Sequence, residues 1–264
     1  MTELPIFQVA AFTDQMFGGN PAAVVPLTEW IDASEMQKIA AENNLSETAF
    51  FVPTGADEWH IRWFTPAVEV PLCGHATLAS AAVIHQKLQQ ENWPITLQSA
   101  SGLLSVDRCG DSYVLNLPTN KPESVAILPG LEEALNTKID ALFLGRDIYL
   151  ARIADETSVA NLRPDFTALA KIVEHGITVT ATGEKSDFVS RFFAPGIGLA
   201  EDPVTGAAHC LLTPFWSERL GKKKLSARQI SSRLGILDCE DLGDRVRLTG
   251  SAVFFMSGTL QIDS

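Results

Sequence analysis

What this chain lacks narrows its function first. It has only four cysteines, Cys73, Cys109, Cys210 and Cys239, with no C-x-x-C pair and no histidine at metal-ligand spacing. Neither a disulfide framework nor a metal site is expected from that pattern, and a reduced cytoplasm is the expected compartment. No apolar run is long enough to span a bilayer, and Met1-Thr2-Glu3-Leu4-Pro5 has neither the basic stretch nor the apolar core of a signal peptide. Positive charge is scarce: 20 Lys and Arg against 32 Asp and Glu give a net charge of −12. Such a surface repels nucleic acid and anionic lipid, so neither is expected as a partner. Lys222-Lys223-Lys224, the one basic cluster, reads as a solvated loop after a helix. No dinucleotide fingerprint or phosphate-binding lysine loop is present, so no cofactor is expected.

What is present is a repeat. Arg62-Trp63-Phe64-Thr65-Pro66 runs through Leu72-Cys73-Gly74-His75-Ala76 into an apolar helix, and Arg191-Phe192-Phe193-Ala194-Pro195 runs through Val204-Thr205-Gly206-Ala207-Ala208 into another. The offset is 129 residues at the arginines and 132 at the glycines, about half of the 264. Two copies of one domain are expected, 1–120 and 121–264, with Asn120–Pro129 as linker, the last strand free to return to the first domain, and a cleft between the halves.

The repeat extends upstream. Asp32 and Glu35 read as a capping box opening a helix in which Met36, Ile39 and Ala40 share a face and which ends at Asn43-Asn44. Pro164 opens its counterpart, with Phe166, Leu169 and Ala170, ending at His175-Gly176. Strands are expected next, at Thr48–Val52 and at Ile177–Ala181. Glu47 stands before the first, where the second copy has apolar Ile177, so this carboxylate has no pseudo-symmetric partner. Further strands are expected at Pro5–Val9, Ala22–Val25 and His60–Phe64, with hairpins at 103–117 and 246–256. Each half therefore reads as a strongly curved, mostly antiparallel sheet or small barrel around one helix, an α/β (α+β) fold.

The two loop-to-helix junctions carry the chemistry. Glycine lets the backbone approach whatever lies above it, and the first turn of a helix offers unpaired N–H groups with partial positive charge. Gly74 and Gly206 each open such a turn, so an acidic chain still has two seats for a carboxylate.

Five stretches, Phe17–Val24 (with Asn20-Pro21), Asn44–Phe50, Arg62–Pro66, Cys73–Ala79 and Glu201–Gly206, resemble the phenazine-biosynthesis PhzF family in the order expected along the whole chain. The resemblance implies two pseudo-symmetric domains of diaminopimelate-epimerase-like fold and a cofactor-independent isomerase, which in its best understood member moves a proton in a hydroxylated dihydroanthranilate. It puts the acid/base carboxylate on Glu47 and substrate contacts on Ser46, Gly74, His75, Asp202 and Gly206.

The residues agree on Glu47. A proton moved between carbons needs one group that takes it and returns it, with a pKa raised by partial burial. The expected catalytic set is Glu47, His75 and Asp202. Asn20, Ser46, Cys73, Gly74, Thr205, Gly206 and Ala207 are expected around the substrate. Diaminopimelate epimerase opposes two cysteines at its helix starts; Cys73 faces Thr205 in the repeat, so a two-thiol racemase is not expected. Ala207 falls where the phenazine enzyme has a hydroxyl, so the phenazine substrate does not follow. The leading expectation is an isomerase acting on a small carboxylate, with a homodimer as its assembly. The alternatives are an amino-acid racemase or epimerase with a second base from His75, Asp202 or Cys73, and a non-catalytic small-acid binder.

Overall fold

A computed structural model describes residues 1–55 and 57–262. Strands outnumber helices eighteen to six among the described residues. In chain order the first half contains β1 (Thr2–Ala11), β2 (Asn20–Pro26), α1 (Ala33–Asn43), β3 (Glu47–Pro53), β4 (Glu58–Phe64), β5 (Glu69–Val70), α2 (Gly74–Gln86), β6 (Ile95–Ser99), β7 (Gly102–Cys109) and β8 (Ser112–Pro118). The rest runs β9 (Glu123–Val125), α3 (Leu131–Leu135), β10 (Ala141–Leu144), β11 (Tyr149–Arg152), α4 (Glu156–Ala160), α5 (Phe166–Leu169), β12 (Ile177–Thr182), β13 (Phe188–Ala194), β14 (Leu199–Asp202), α6 (Gly206–Leu220), β15 (Lys224–Gln229), β16 (Gly235–Asp241), β17 (Arg245–Gly250) and β18 (Ala252–Ile262). The chain divides into two compact units: Met1–Asn116 with the segment from Thr249 onward, and Leu117–Leu248.

The units repeat one pairing scheme. In the first, β2 and β3 are parallel, β3 and β4 antiparallel, β4 and β6 parallel, and β6 and β7 antiparallel. In the second, β11 with β12, β12 with β13, β13 with β15, and β15 with β16 follow the same sequence of directions. A parallel pair needs a crossover, and each unit carries its long helix in the second one, α2 between β4 and β6 and α6 between β13 and β15. Both helices are apolar on nearly every face: α2 is buried from His75 to Ile84, and α6 is buried at ten of its positions between Gly206 and Ser217. A helix that is hydrophobic all round belongs at the centre of its unit. Strand β3, buried from Thr48 to Val52, has both faces covered: Phe50 and Val52 pack with Met36, Ile39 and Ala40 of α1, while α2 packs against the same strand.

Three details depart from the sequence pattern. Asp32 caps α1 through its backbone alone, its carbonyl accepting from the N–H of Glu35 and Met36, and no side-chain capping box forms. Asp165, not Pro164, starts the second helix; its carboxylate accepts from Thr167 and Ala168 N–H, and the helix is a single turn that stops at Leu169, well short of His175. The expected linker is built into the second unit. Pro214 inside α6 has no N–H to give, which frees the Cys210 carbonyl to accept from Asn120 N–H, and β9 then pairs with β10. Strand β18 runs antiparallel to β1, from Thr2 opposite Ile262 to Ala11 opposite Ala252.

The repeated arginines are clamps. Arg62 on β4 grips Glu69 on β5 with two hydrogen bonds of 2.7 Å, and Arg191 on β13 grips Glu201 on β14 at 2.7 and 2.8 Å. Each fork closes a short hairpin whose far end leads into α2 or α6, so it sets where the helix begins. The clamps differ in burial. Arg191 and Glu201 are 10% and 22% exposed, against 26% and 40% for Arg62 and Glu69, and Arg191 also donates to the carbonyls of Val159 and Leu162. Removing one partner of a buried pair strands the other charge, whereas an exposed pair contributes little. Arg191→Met is therefore expected to cost about 3 kcal/mol in urea unfolding, and Arg62→Met about 1 kcal/mol or less. Equal losses would contradict this assignment.

Candidate active site

Three element starts converge in the first unit. Asn20 and Glu47 are the first residues of the neighbouring parallel strands β2 and β3, with Ala22 opposite Glu47, so both lie at the same sheet end. Gly19 at φ +62° makes the approach to Asn20 feasible, because a Cβ there would run into the Ala11 carbonyl oxygen. Asn44 closes α1 in the left-handed conformation, and Leu45 and Ser46 complete the turn into Glu47. Cys73 is the N-cap of α2, with Gly74 and His75 as its first two residues.

His75 ties these starts together. Its Nδ1 lies 3.2 Å from Asn20 Nδ2 and 3.5 Å from Cys73 Sγ, and its Nε2 lies 3.2 Å from Glu47 Oε2. The ring is 4% exposed, and burial pushes its pKa down to about 3, so it is neutral at physiological pH. The Asn20 amide N–H₂ donates to Nδ1, which places the ring proton on Nε2, facing the carboxylate. Glu47 itself keeps an opening, its side chain being 17% exposed.

Three groups that no local sequence spacing links also meet here. One donor atom each from Glu47, Cys73 and His75 falls within 4.8 Å of the others. Spacing rules look for ligands close in sequence, and here the fold brings Glu47 to the Cys73-x-His75 turn.

In the second unit Asp202, Thr205, Gly206 and Ala207 surround the start of α6. Thr205 donates its hydroxyl to Asp202 Oδ2 at 2.6 Å and accepts from Gln229 Nε2 at 3.1 Å, and its side chain does not cap the helix. Gln229 binds the loop from below: its Oε1 accepts Thr205 N–H at 2.9 Å and its Nε2 donates to the Asp202 carbonyl at 2.7 Å. Neither α2 nor α6 has a capping side chain or an acidic residue in its first turn, so their first-turn N–H groups are not neutralised from within.

The repeat loses its titratable groups in this unit. Ile177 stands for Glu47, Thr205 for Cys73 and Ala207, which is exposed, for His75. One feature moves the other way: Thr77 donates to the Cys73 carbonyl, and its counterpart His209 donates Nδ1–H to the Thr205 carbonyl at 2.8 Å. His209 is fully buried and its pKa falls to about 4 through that burial. Sequence reasoning missed His209 and Gln229. Alignment of the repeat would have flagged the first; nothing local marks the second.

The family model for phenazine biosynthesis-like proteins, PhzC-PhzF, matches residues 9–258. An uncharacterized isomerase of Pseudomonas aeruginosa is 50% identical over 98% of this chain and 100% of its own, and one of Halalkalibacterium halodurans is 43% identical over 98% and 99%. The crystal structure of a PhzF-family phenazine biosynthesis protein from Enterococcus faecalis superposes with a TM-score of 0.95 at 44% identity, covering 99% of this chain and 100% of that one.

The two buried imidazoles make folding sensitive to acid. Their native pKa values, about 3 and about 4, lie below the unfolded value near 6.5, so between these limits the unfolded chain binds protons that the native one refuses. Stability is complete above about pH 6.5 and declines as the pH falls, by about 1.4 kcal/mol per unit for each ring. In urea unfolding, the loss between pH 7.5 and 5.0 should be about 2 kcal/mol smaller in His209→Gln than in the parent. An identical loss would show that His209 is protonated in the native state.

Proposed function

The chain belongs to the PhzC-PhzF family of phenazine biosynthesis-like proteins, and on that premise we propose that it is a cofactor-independent isomerase moving a proton on a small carboxylate-bearing metabolite. The observation that carries the reading is the contact of His75 Nε2 with Glu47 Oε2 at 3.2 Å in a nearly desolvated corner. Glu47 takes a proton from a carbon made acidic by a neighbouring carboxylate or carbonyl and returns it to another position. A neutral imidazole suits this arrangement: it sets a polar ring nitrogen 3.2 Å from the Glu47 carboxylate, yet carries no charge that would hold the carboxylate permanently ionised. Asn20 fixes the tautomer. The first-turn N–H groups of α2, opened by Gly74, seat the substrate carboxylate.

A racemase or epimerase is the second reading, favoured by one contact, the Cys73 thiol 3.5 Å from His75 Nδ1, which offers a second proton acceptor. We assign the protein to the cytoplasm, in keeping with the lack of any helix long and apolar enough to cross a membrane among the described residues. A homodimer is supported by the exposed apolar face of the first unit, where Phe17 and Phe255 meet edge to face beside Met16 and Met256. The net charge of −12 argues against nucleic acid as a partner.

Glu47→Gln keeps the shape and removes the titrating site. Steady-state turnover of a true substrate should fall at least about a hundredfold, with little change in thermal stability. Full activity in this variant would leave the protein as a small-acid binder or move the chemistry elsewhere. Prolonged chelation followed by dialysis should leave turnover undiminished, and a requirement restored by one metal would overturn cofactor independence.

A further inference from the structure

The segment expected as a linker, from Asn120 onward, takes no part in the proton transfer proposed above and instead helps to wall a cavity of its own. Thr119, Asn120 and Lys121 line it with Val125 of β9, Leu144 of β10 and Arg146 of the turn that joins β10 to β11, and its volume is about 480 Å³. Cavities of about 300–1,000 Å³ are the usual size for small-molecule sites. All of these residues belong to the second unit, and none is among those expected around the substrate of Glu47.

The lining is rich in donors. Lys138 and Arg152 of the same unit are paired with Glu132 and Asp140, whereas Lys121 and Arg146 form no ion pair among the described residues. Thr119 Oγ1 is buried and finds no hydrogen-bond partner in the protein, a cost that an acceptor on a ligand would remove. Asn120 Oδ1 accepts the Arg146 backbone N–H at 2.9 Å, which leaves the N–H₂ end of that amide as a donor. A Cβ on Gly145 would lie 2.7 Å from both Asn120 Oδ1 and Nδ2, so glycine at this position keeps the amide in place. We propose that this cavity is a second small-molecule site, for an organic monocarboxylate with a short apolar body. A guanidinium takes both carboxylate oxygens in a planar fork, and Lys121 adds a compact charge. Two cations against one acid, Glu123, leave the lining with a single surplus positive charge, which matches a monoanion better than a phosphate dianion. Phosphate also has nothing to set against Val125 and Leu144, so the apolar walls add to the discrimination. The site stands on these residues alone and is independent of the role given to Glu47.

The test reads binding without an assay of activity. The full chain is titrated in separate series with 4-fluorobenzoate, its neutral counterpart 4-fluorobenzamide and inorganic phosphate, and the backbone amide signals are followed by NMR. With 4-fluorobenzoate the amides of residues 119–121 and 144–146 should shift and saturate, while the other two probes should leave them in place. In the double variant Lys121→Gln, Arg146→Gln, which changes two exposed side chains, the affinity for 4-fluorobenzoate should fall at least about tenfold. The amides of Gly74 and His75 report the α2 seat in the same spectra, so failure of this site and failure of the proposed substrate seat are read separately. Unshifted amides at 119–121 and 144–146 in the parent, equal affinity for the amide or for phosphate, or undiminished affinity in the double variant would each overturn the site.

Discussion

The desolvation of one imidazole governs the chemistry of this protein. His75 sits at the start of a helix that is buried on almost every side, and a charge there would have to be removed from water at a cost of several kcal/mol. The ring therefore stays neutral, and a neutral ring has one donor and one acceptor. Asn20 occupies the acceptor, so the donor faces Glu47. A carboxylate set 3.2 Å from a neutral imidazole in a dry corner is suited to accepting and releasing a proton. That capacity follows from the placement of three element starts at one end of a sheet.

That placement comes from a duplicated architecture. Each unit uses the same order of parallel and antiparallel pairings, an arginine–glutamate fork that closes a hairpin, and a buried helix that begins just beyond it. Proteins built this way can specialise one copy while the other keeps the frame. Here the first copy has Glu47, Cys73 and His75, and the second has Ile177, Thr205 and Ala207 with an internally satisfied Asp202–Thr205–Gln229 loop. The buried histidine of the second copy, His209, lies two residues further into its helix and donates its proton to a backbone carbonyl.

Much of this was legible in the residues. The repeat, the two glycine-opened helices, the strands flanking Glu47 and the unmatched carboxylate itself are written in motifs a few residues long, where local chemistry and periodicity act. The missed features depend on packing between distant segments. Asp165 displaced Pro164 as the helix start because its carboxylate reaches two N–H groups, a choice between adjacent plausible caps. The segment expected to be a linker is docked because a proline more than ninety residues later leaves a carbonyl vacant. Gln229 reaches the Asp202 loop only because β15 lies beside β13 in one register, with Gln229 opposite Ser190. The meeting of Glu47 with Cys73 and His75 escaped for the same reason, Glu47 being remote in sequence from the other two.

The central claim is that a single carrier, Glu47, lifts and returns the proton. The measurement that addresses it most directly is isotope retention: a turned-over acid carrying deuterium at the migrating position is converted in ordinary water, and the product is examined by mass spectrometry and NMR after less than one turnover. One carrier in a water-poor corner predicts that part of the deuterium reappears at the new carbon on the same face. Complete replacement by solvent hydrogen, with inversion at carbon, would require two opposed bases and contradict the account.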